Sequence, residues 1–503
     1  MKRIFNFLVI AAICIAASCS KNNEAGVSDV VDEDAVFTAT IDQVKTTITI
    51  EGNKGKVEWV AGDVILINDI PFVAQSSGVE SVFIKQNSKD RNPKAPFTAT
   101  YGDVNEQLYS EDGSNCPMAA DPTNERDLYF KNICAVVKLT LSNPETTVKS
   151  IFVEDFKLDC GEGIDIDSPV EFYIAVPPTD YKHLRISVIN DECQVAKKIA
   201  KSEMSLAVNT IKPITVTSLS FEHGYTSSSN GNMVVFSTGN LYKCGWKNPE
   251  TGAIVWAFTT KQSSVAGVLN LNDGDSFARD LFGFGTSGHN IGAPAYQPWE
   301  KTNDETKYYS ASIHNTDADW GMLNPIQHNL DDGECYMPGT YYTPSKSEWE
   351  SIMINRATPF GHRYAAVKVQ CNDENYVAGI LVFADDFTWP DGLSQPTVYD
   401  AASKSWNNIQ YSYDDFKQIA ANGAAFLPGA GLRTDGRTLP SAGSPMVIGT
   451  QGETVCNVLQ YVDVSGGFYW ASDGKWVMNF YDEKAPCVYE QPNCFGAAVR
   501  LVK

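Results

Sequence analysis

Residues 280–290, DLFGFGTSGHN, carry spacings that could do chemistry in two ways. Gly283, Gly285 and Gly288 fit G-x-G-x-x-G, in which backbone amides cradle a pyrophosphate. Gly285-Thr286-Ser287-Gly288-His289 comes within one residue of the G-x-S-x-G turn that presents a nucleophilic serine. Both motifs work only between a strand and a helix. The preceding NDGDSFARDLF is too charged for a buried parallel strand. The following NIGAPAYQPW puts a glycine and two prolines where a helix must start. His289 also replaces the last glycine of the serine motif. These glycines are expected to frame a loop, without nucleotide or nucleophile.

The remaining chemistry-bearing residues are dispersed. The six histidines, at 183, 223, 289, 314, 328 and 362, form no H-E-x-x-H and no paired spacing, so they read as surface or loop residues and no metal is expected. Asp273, Asp275 and Asp280 offer oxygen ligands of the kind calcium takes, but the EF-hand glycine and glutamate positions do not match, and a solvated acidic turn is the simpler reading. No C-x-x-C pair occurs among the twelve cysteines. Cys487 and Cys494 are close enough in sequence to be bridged if their geometry permits, with free thiols as the alternative. No cofactor is expected.

The elements that must position these residues fall into distinct textures. Residues 1–18 have Lys2 and Arg3 before the apolar run FLVIAAICIAAS, which is too short to span a bilayer and ends in small residues before Cys19. This resembles a bacterial lipoprotein signal, which implies cleavage before Cys19 and lipidation of its thiol, with Ala16 in place of the usual leucine. Residues 19–35 are polar and acidic, and read as a tether. From 36 to 217 come short alternating runs such as VFTATI, DVILIND, AVVKLTL and EFYIAV, separated by turn residues; their spacing predicts an antiparallel β-sandwich. The Ser/Asn/Gly-rich HGYTSSSNGN within 218–232 reads as an interdomain linker. Beyond it, 233–503 holds two predicted helices. One starts at Ser345, which with Glu348 can form a capping box before Trp349, Ile352 and Met353; the other has Phe416, Ile419 and Ala420 on one face and Gly423 as its stop.

Within 36–217, VEWVAGDVILIND, PFTATYG, LYFKNICAVVKLTL and FYIAVPP resemble the fimbrillin-like lipoproteins of the Bacteroidetes, in which such residues are structural framework. The ordered pieces VVFSTGNLY, WAFTTKQ, YTPSKSEWE, AGILVFADDF, GGFYWASD and FGAAVRLVK resemble Bacteroidetes surface proteins with a C-type-lectin-like fold. That group includes variable ligand-binding proteins diversified by retroelements, and shares its fold with formylglycine-generating enzymes. The tripeptides that mark calcium-dependent sugar binding in such lectins are absent here.

In KWVMNFY, Trp476, Met478 and Phe480 share one strand face, expected to be core, while Lys475, Val477, Asn479 and Tyr481 share the other. Tyrosines give rigid contact area and short polar side chains adaptable hydrogen bonds. In the resembling variable proteins this segment faces ligand, so Asn479, Tyr481, Glu483, Tyr489, Gln491 and Asn493 are the candidate ligand-binding residues.

The formal charge of −22 repels phosphate backbones, which argues against nucleic acid as a partner. A hydrophobic share of 43% argues for folded domains rather than disorder. The expected protein is multidomain, an N-terminal all-β antiparallel sandwich followed by an α+β C-type-lectin-like domain. It is expected to be lipid-anchored at the outer membrane and surface-exposed, and to bind a protein or glycan without catalysis. The competing classes are an accessory fimbrial subunit and a copper-dependent oxidase of the formylglycine-generating type using Cys487 and Cys494.

Overall fold

The computed structural model describes residues 36–41, 49–50, 53–54, 58–110, 116–244, 255–265, 280–290, 292–298, 302, 304–328, 334–373, 376–396, 409–434, 437–438, 466–481 and 484–503. Cys19 and the signal, the tether, Asp273, Asp275 and Glu483 lie outside them. The chain divides into two compact units, one made from 1–42, 58–100 and 120–130, the other from 43–57, 101–119 and 131–503.

The first unit is built on a closed barrel, and this corrects the expectation of a sandwich beginning at residue 36. Its strands run Val36–Ile41, Asp127–Asn132, Met118–Thr123, Phe97–Tyr101, Val64–Ile67, Ile70–Ala74 and Glu80–Lys85, which returns to the first. Alternation sends Phe37, Ala39, Ile65, Ile67, Phe72, Phe83 and Phe130 inward. Trp59 closes this interior, edge-on to Phe83 and Phe130 at 5.0 and 5.2 Å, and its indole N–H donates to the Ala39 carbonyl at 2.9 Å. Alternation names the inward residues but not the closure. That depends on Val36–Ile41 pairing in parallel with Asp127–Asn132, a long-range contact with no local signature.

In the second unit, residues 131–217 do form a sandwich. One sheet orders Val170–Val176, Ala135–Leu141 and Ile211–Val216; the other runs from Glu222–His223 through Gln194–Ile199, Arg185–Asn190, Thr147–Val153 and Phe156–Asp165 to Glu106–Leu108. Leu139, Ile151, Phe172, Ile174 and Val188 fill the space between them. Two of the pairings are parallel, so the sandwich is mixed rather than antiparallel throughout.

The stretch read as a linker is a packed part of this unit. Glu222–His223 extends the larger sheet, and Tyr225–Thr226 pairs with Met233–Val234. Tyr225 is 3% exposed and belongs to a core shared with Val234, Trp349 and Ile380. Phe152, Ile189 and Val195 of the sandwich pack on Met233 and Val235 in a second apolar joint. Ser, Asn and Gly satisfy a tight hairpin as readily as a free tether, so composition alone misplaced the boundary. Limited proteolysis of the full chain with a broad-specificity protease is therefore expected to spare residues 223–232, because a bound hairpin opens only when its core contacts open. An early cut there, mapped by mass spectrometry, would contradict this packing.

The rest of the unit carries small sheets and short helices. Tyr364–Gln370 and Tyr376–Phe383 pair between Gln410–Tyr411 and Ala424–Pro428; Gly467–Trp470, Trp476–Tyr481 and Lys484–Glu490 form a three-stranded sheet. Both sequence-predicted helices form. Ser345 and Glu348 make the reciprocal capping box of Lys346–Glu350, which continues into a wider turn over Ser351–Asn355 with Trp349, Ile352 and Met353 buried. Ser412 caps Tyr413–Ala421, and Gly423, at φ +97°, ends it. The 280–290 glycines do frame a loop: a side chain at Gly283 would strike the Tyr308 ring at 2.3 Å, and Phe282 and Phe284 are core. Among the described residues no helix is long and apolar enough to cross a membrane.

Candidate ligand-binding cleft

The C-terminal segment singled out in the sequence does not present its polar side chains outward. Trp476–Tyr481 is the middle strand of its sheet and is covered on both faces. Met478 and Phe480 enter one core as expected, while Val477 enters the other. Asn479 is 2% exposed and accepts a hydrogen bond from the Cys487 thiol at 2.9 Å. Gln491 is buried, with its amide donating to the Tyr489 hydroxyl. Asn493 is buried and donates to the carbonyls of Tyr309 and Glu305 at 3.1 and 3.2 Å, pinning the loop that faces it. These three amides are internal struts, which corrects their expected outward placement. Tyr489 is half-buried against the same core. Tyr481 lies at the strand end. Trp476, expected in the core, is only half-buried, with the Lys346 ammonium 3.8 Å from its ring. Cys487 and Cys494 are not joined by a disulfide; Cys487 stands in the ladder opposite Asn479, whose Oδ1 accepts its thiol hydrogen.

A cleft of about 990 Å³ opens elsewhere in this unit. One wall is the larger sandwich sheet, contributing Arg185, Ser187 and Lys197; a second is the 226–232 hairpin; a third is the N-terminal turn of the 346–350 helix with Tyr342. Ser187 and Lys197 are directly opposed across two antiparallel strands, so both project from the same face. The Lys197 ammonium donates to Ser187 Oγ at 2.7 Å and to the Met233 carbonyl, both neutral acceptors. Burial pushes its pKa down to about 7. Arg185 donates to Asn315 Oδ1 at 3.0 Å, lies 3.7 Å from Glu154, and covers the Tyr342 ring with its guanidinium carbon 5.0 Å from the centroid. Burial raises the Glu154 carboxyl against the opposing pull of Arg185. The Tyr342 hydroxyl donates to Glu348 at 2.8 Å, and burial holds that phenol well above its ordinary value.

A buried ion pair, whose Arg356 also lines the cleft, fixes the walls to one another. Arg356 bonds Asp385 and the Phe383 carbonyl, while Asp385 also accepts from the Thr226 N–H at 3.1 Å and from its hydroxyl. His223 is 2.7 Å from Asp386 and 3.0 Å from the Ala421 carbonyl; the hydrogen bond to Asp386 raises its pKa. Among the described residues no group of three or more His, Cys, Asp or Glu is placed to hold a metal. Sequence reasoning missed the cleft because its walls come from segments roughly 30 to 165 positions apart. The one available signal, the run of Ser and Asn at 226–232, reads equally as a linker.

No family model matches the chain, and no curated protein matches it. Two solved structures from Bacteroides ovatus are similar in part. A candidate cell adhesion protein is 11% identical over 37% of this chain and 94% of its own, at a TM-score of 0.24. A fimbrial protein is 10% identical over 54% of this chain and 62% of its own, at a TM-score of 0.17. Similarities at such scores carry no argument about this chain's fold or role.

Proposed function

We propose that this chain is a lipid-anchored cell-envelope protein that holds an extracellular ligand in the cleft at Ser187, Lys197 and the 226–232 hairpin, and so serves in surface recognition or adhesion. The observation that supports the reading is the cleft itself: a large concavity between structurally fixed walls, lined mainly by polar residues, with Arg185 beside Glu154 and the Tyr342 hydroxyl on Glu348. The fimbrillin-like and C-type-lectin-like resemblances favour the same role. The C-type-lectin-like resemblance points to Asn479, Gln491 and Asn493, and their burial moves the favoured site to the cleft. Among the described side chains of that segment's candidates, Tyr489 is the one left partly exposed.

The anchor and the cleft are tested together by retention of expressing cells on ligand-coated surfaces. Cys19→Ala is expected to remove the protein from the membrane fraction, since lipidation there supplies its hold on the bilayer. Ser347 is exposed in the helix turn lining the cleft, its hydroxyl 3.0 Å from that of Ser345, so Ser347→Trp adds a large side chain at the cleft from a position outside the core. It is expected to abolish retention while leaving the protein folded and membrane-bound. Undiminished membrane association of Cys19→Ala would defeat the anchor; undiminished retention with Ser347→Trp would defeat the cleft.

A further inference from the structure

The chemistry of the cleft wall narrows what it can hold. Of the residues lining it, thirteen are Ser, Thr or Asn and only Ile199 and Ala357 are aliphatic, which disfavours an acyl chain or an apolar peptide anchor. Five are Lys or Arg and five are Asp or Glu, a formal charge of zero inside a chain of net charge −22. Neither a polyanion nor a polycation gains from such a wall. Hydroxyls both donate and accept, and amides present a donor and an acceptor side by side, so together they match a ligand whose surface is itself hydroxyl. The volume is at the upper end of the roughly 300–1,000 Å³ range of small-molecule sites, room for more than one ring. Tyr342 is the cleft's aromatic residue besides His314, and its face is already covered by the Arg185 guanidinium.

Resting on the function proposed above, we infer that the cleft binds a neutral oligosaccharide, held edge-on by hydrogen bonds from the Ser187 and Lys197 floor, the 226–232 hairpin and the helix turn at Ser347, without ring stacking. Lys197 suits this role because its partners are neutral acceptors: in its protonated form it has a third N–H to give to a sugar oxygen without breaking an ion pair. The hairpin supplies Ser229, which is exposed, and Asn230, whose amide is anchored on the Asp155 carbonyl at 3.1 Å with its oxygen turned to Ser228 and the Asn232 N–H.

The test places the mature full chain on three arrays: neutral oligosaccharides of hexoses and N-acetylhexosamines, sulfated and uronate-containing oligosaccharides, and peptides. Each hit is then titrated against wild type, Ser347→Trp and Ser229→Trp, with melting temperature as the check on folding. The expected result is binding to a neutral oligosaccharide that weakens at least tenfold in both variants. Binding confined to peptides or to anionic sugars and lost in the variants would overturn the ligand class while leaving ligand capture in the cleft standing. A neutral glycan bound equally by wild type and both variants would overturn the site and the proposed function with it. No binding on the neutral array overturns the inference alone.

Discussion

Asp385→Ala is expected to destabilise the second unit by about 3–5 kcal/mol, the usual cost of removing one partner from a buried ion pair. The Arg356 side chain is 1% exposed and that of Asp385 9%, so water cannot replace the lost carboxylate. Arg356 would keep the Phe383 and Ile352 carbonyls, but its charge would be left without compensation. Burial already pulls the Arg356 pKa below its ordinary value despite the Asp385 carboxylate beside it. The Thr226 N–H and hydroxyl lose their acceptor in the same step, releasing the hairpin that forms one wall of the cleft. Two measurements follow: denaturant titration should show the loss, and residues 223–232 should become the first protease site. The double change Arg356→Met with Asp385→Leu is expected to recover most of the stability, because an apolar pair of similar volume removes the unpaired charge. A cost under about 1 kcal/mol for Asp385→Ala would mean that the pair does not hold the walls together.

Trp470→Ala should cost about 3–5 kcal/mol by opening a cavity in the core of the C-terminal part. The ring is fully buried and edge-on to Phe284 at 5.2 Å, and its N–H donates to the Phe282 carbonyl at 2.6 Å. Phe282 and Phe284 belong to the glycine-framed loop, so this single side chain seats that loop on the sheet. Trp470→Phe keeps most of the apolar volume and loses the hydrogen bond, with an expected cost nearer 1 kcal/mol because the Phe282 carbonyl retains the Ala497 N–H. Equal losses for the two variants would show that the hydrogen bond, not the ring volume, carries the stabilisation. Near-native stability of Trp470→Ala would remove the ring from the core.

What the sequence determined by itself is what neighbours in the chain decide. Ser345 and Glu348 lie three positions apart and cap a helix with each other's groups; Ser412 caps the next with Asp415. Alternation in VFTATI and DVILI placed Phe37, Ala39, Ile65 and Ile67 inward, because a strand turns successive side chains to opposite faces whatever it pairs with. The prolines and glycine after Gly288 ruled out a phosphate loop for a reason equally local.

The tertiary structure decided everything that depends on what covers a face. A period of two states which residues share a side and leaves open whether one side or both are covered, so Asn479 and Val477 read as outward until two cores were found to enclose the Trp476–Tyr481 strand. Barrel closure, likewise, rests on pairing between Val36–Ile41 and a strand some ninety residues later. The hairpin at 223–232 and a flexible tether call for the same Ser, Asn and Gly. What distinguishes them is the burial of Tyr225 and the partners of Thr226 and His223 some 160 to 200 positions away. The cleft belongs to the same class: its walls come from distant parts of the chain, and only their packing sets Ser187, Lys197, the hairpin and the helix turn around one space.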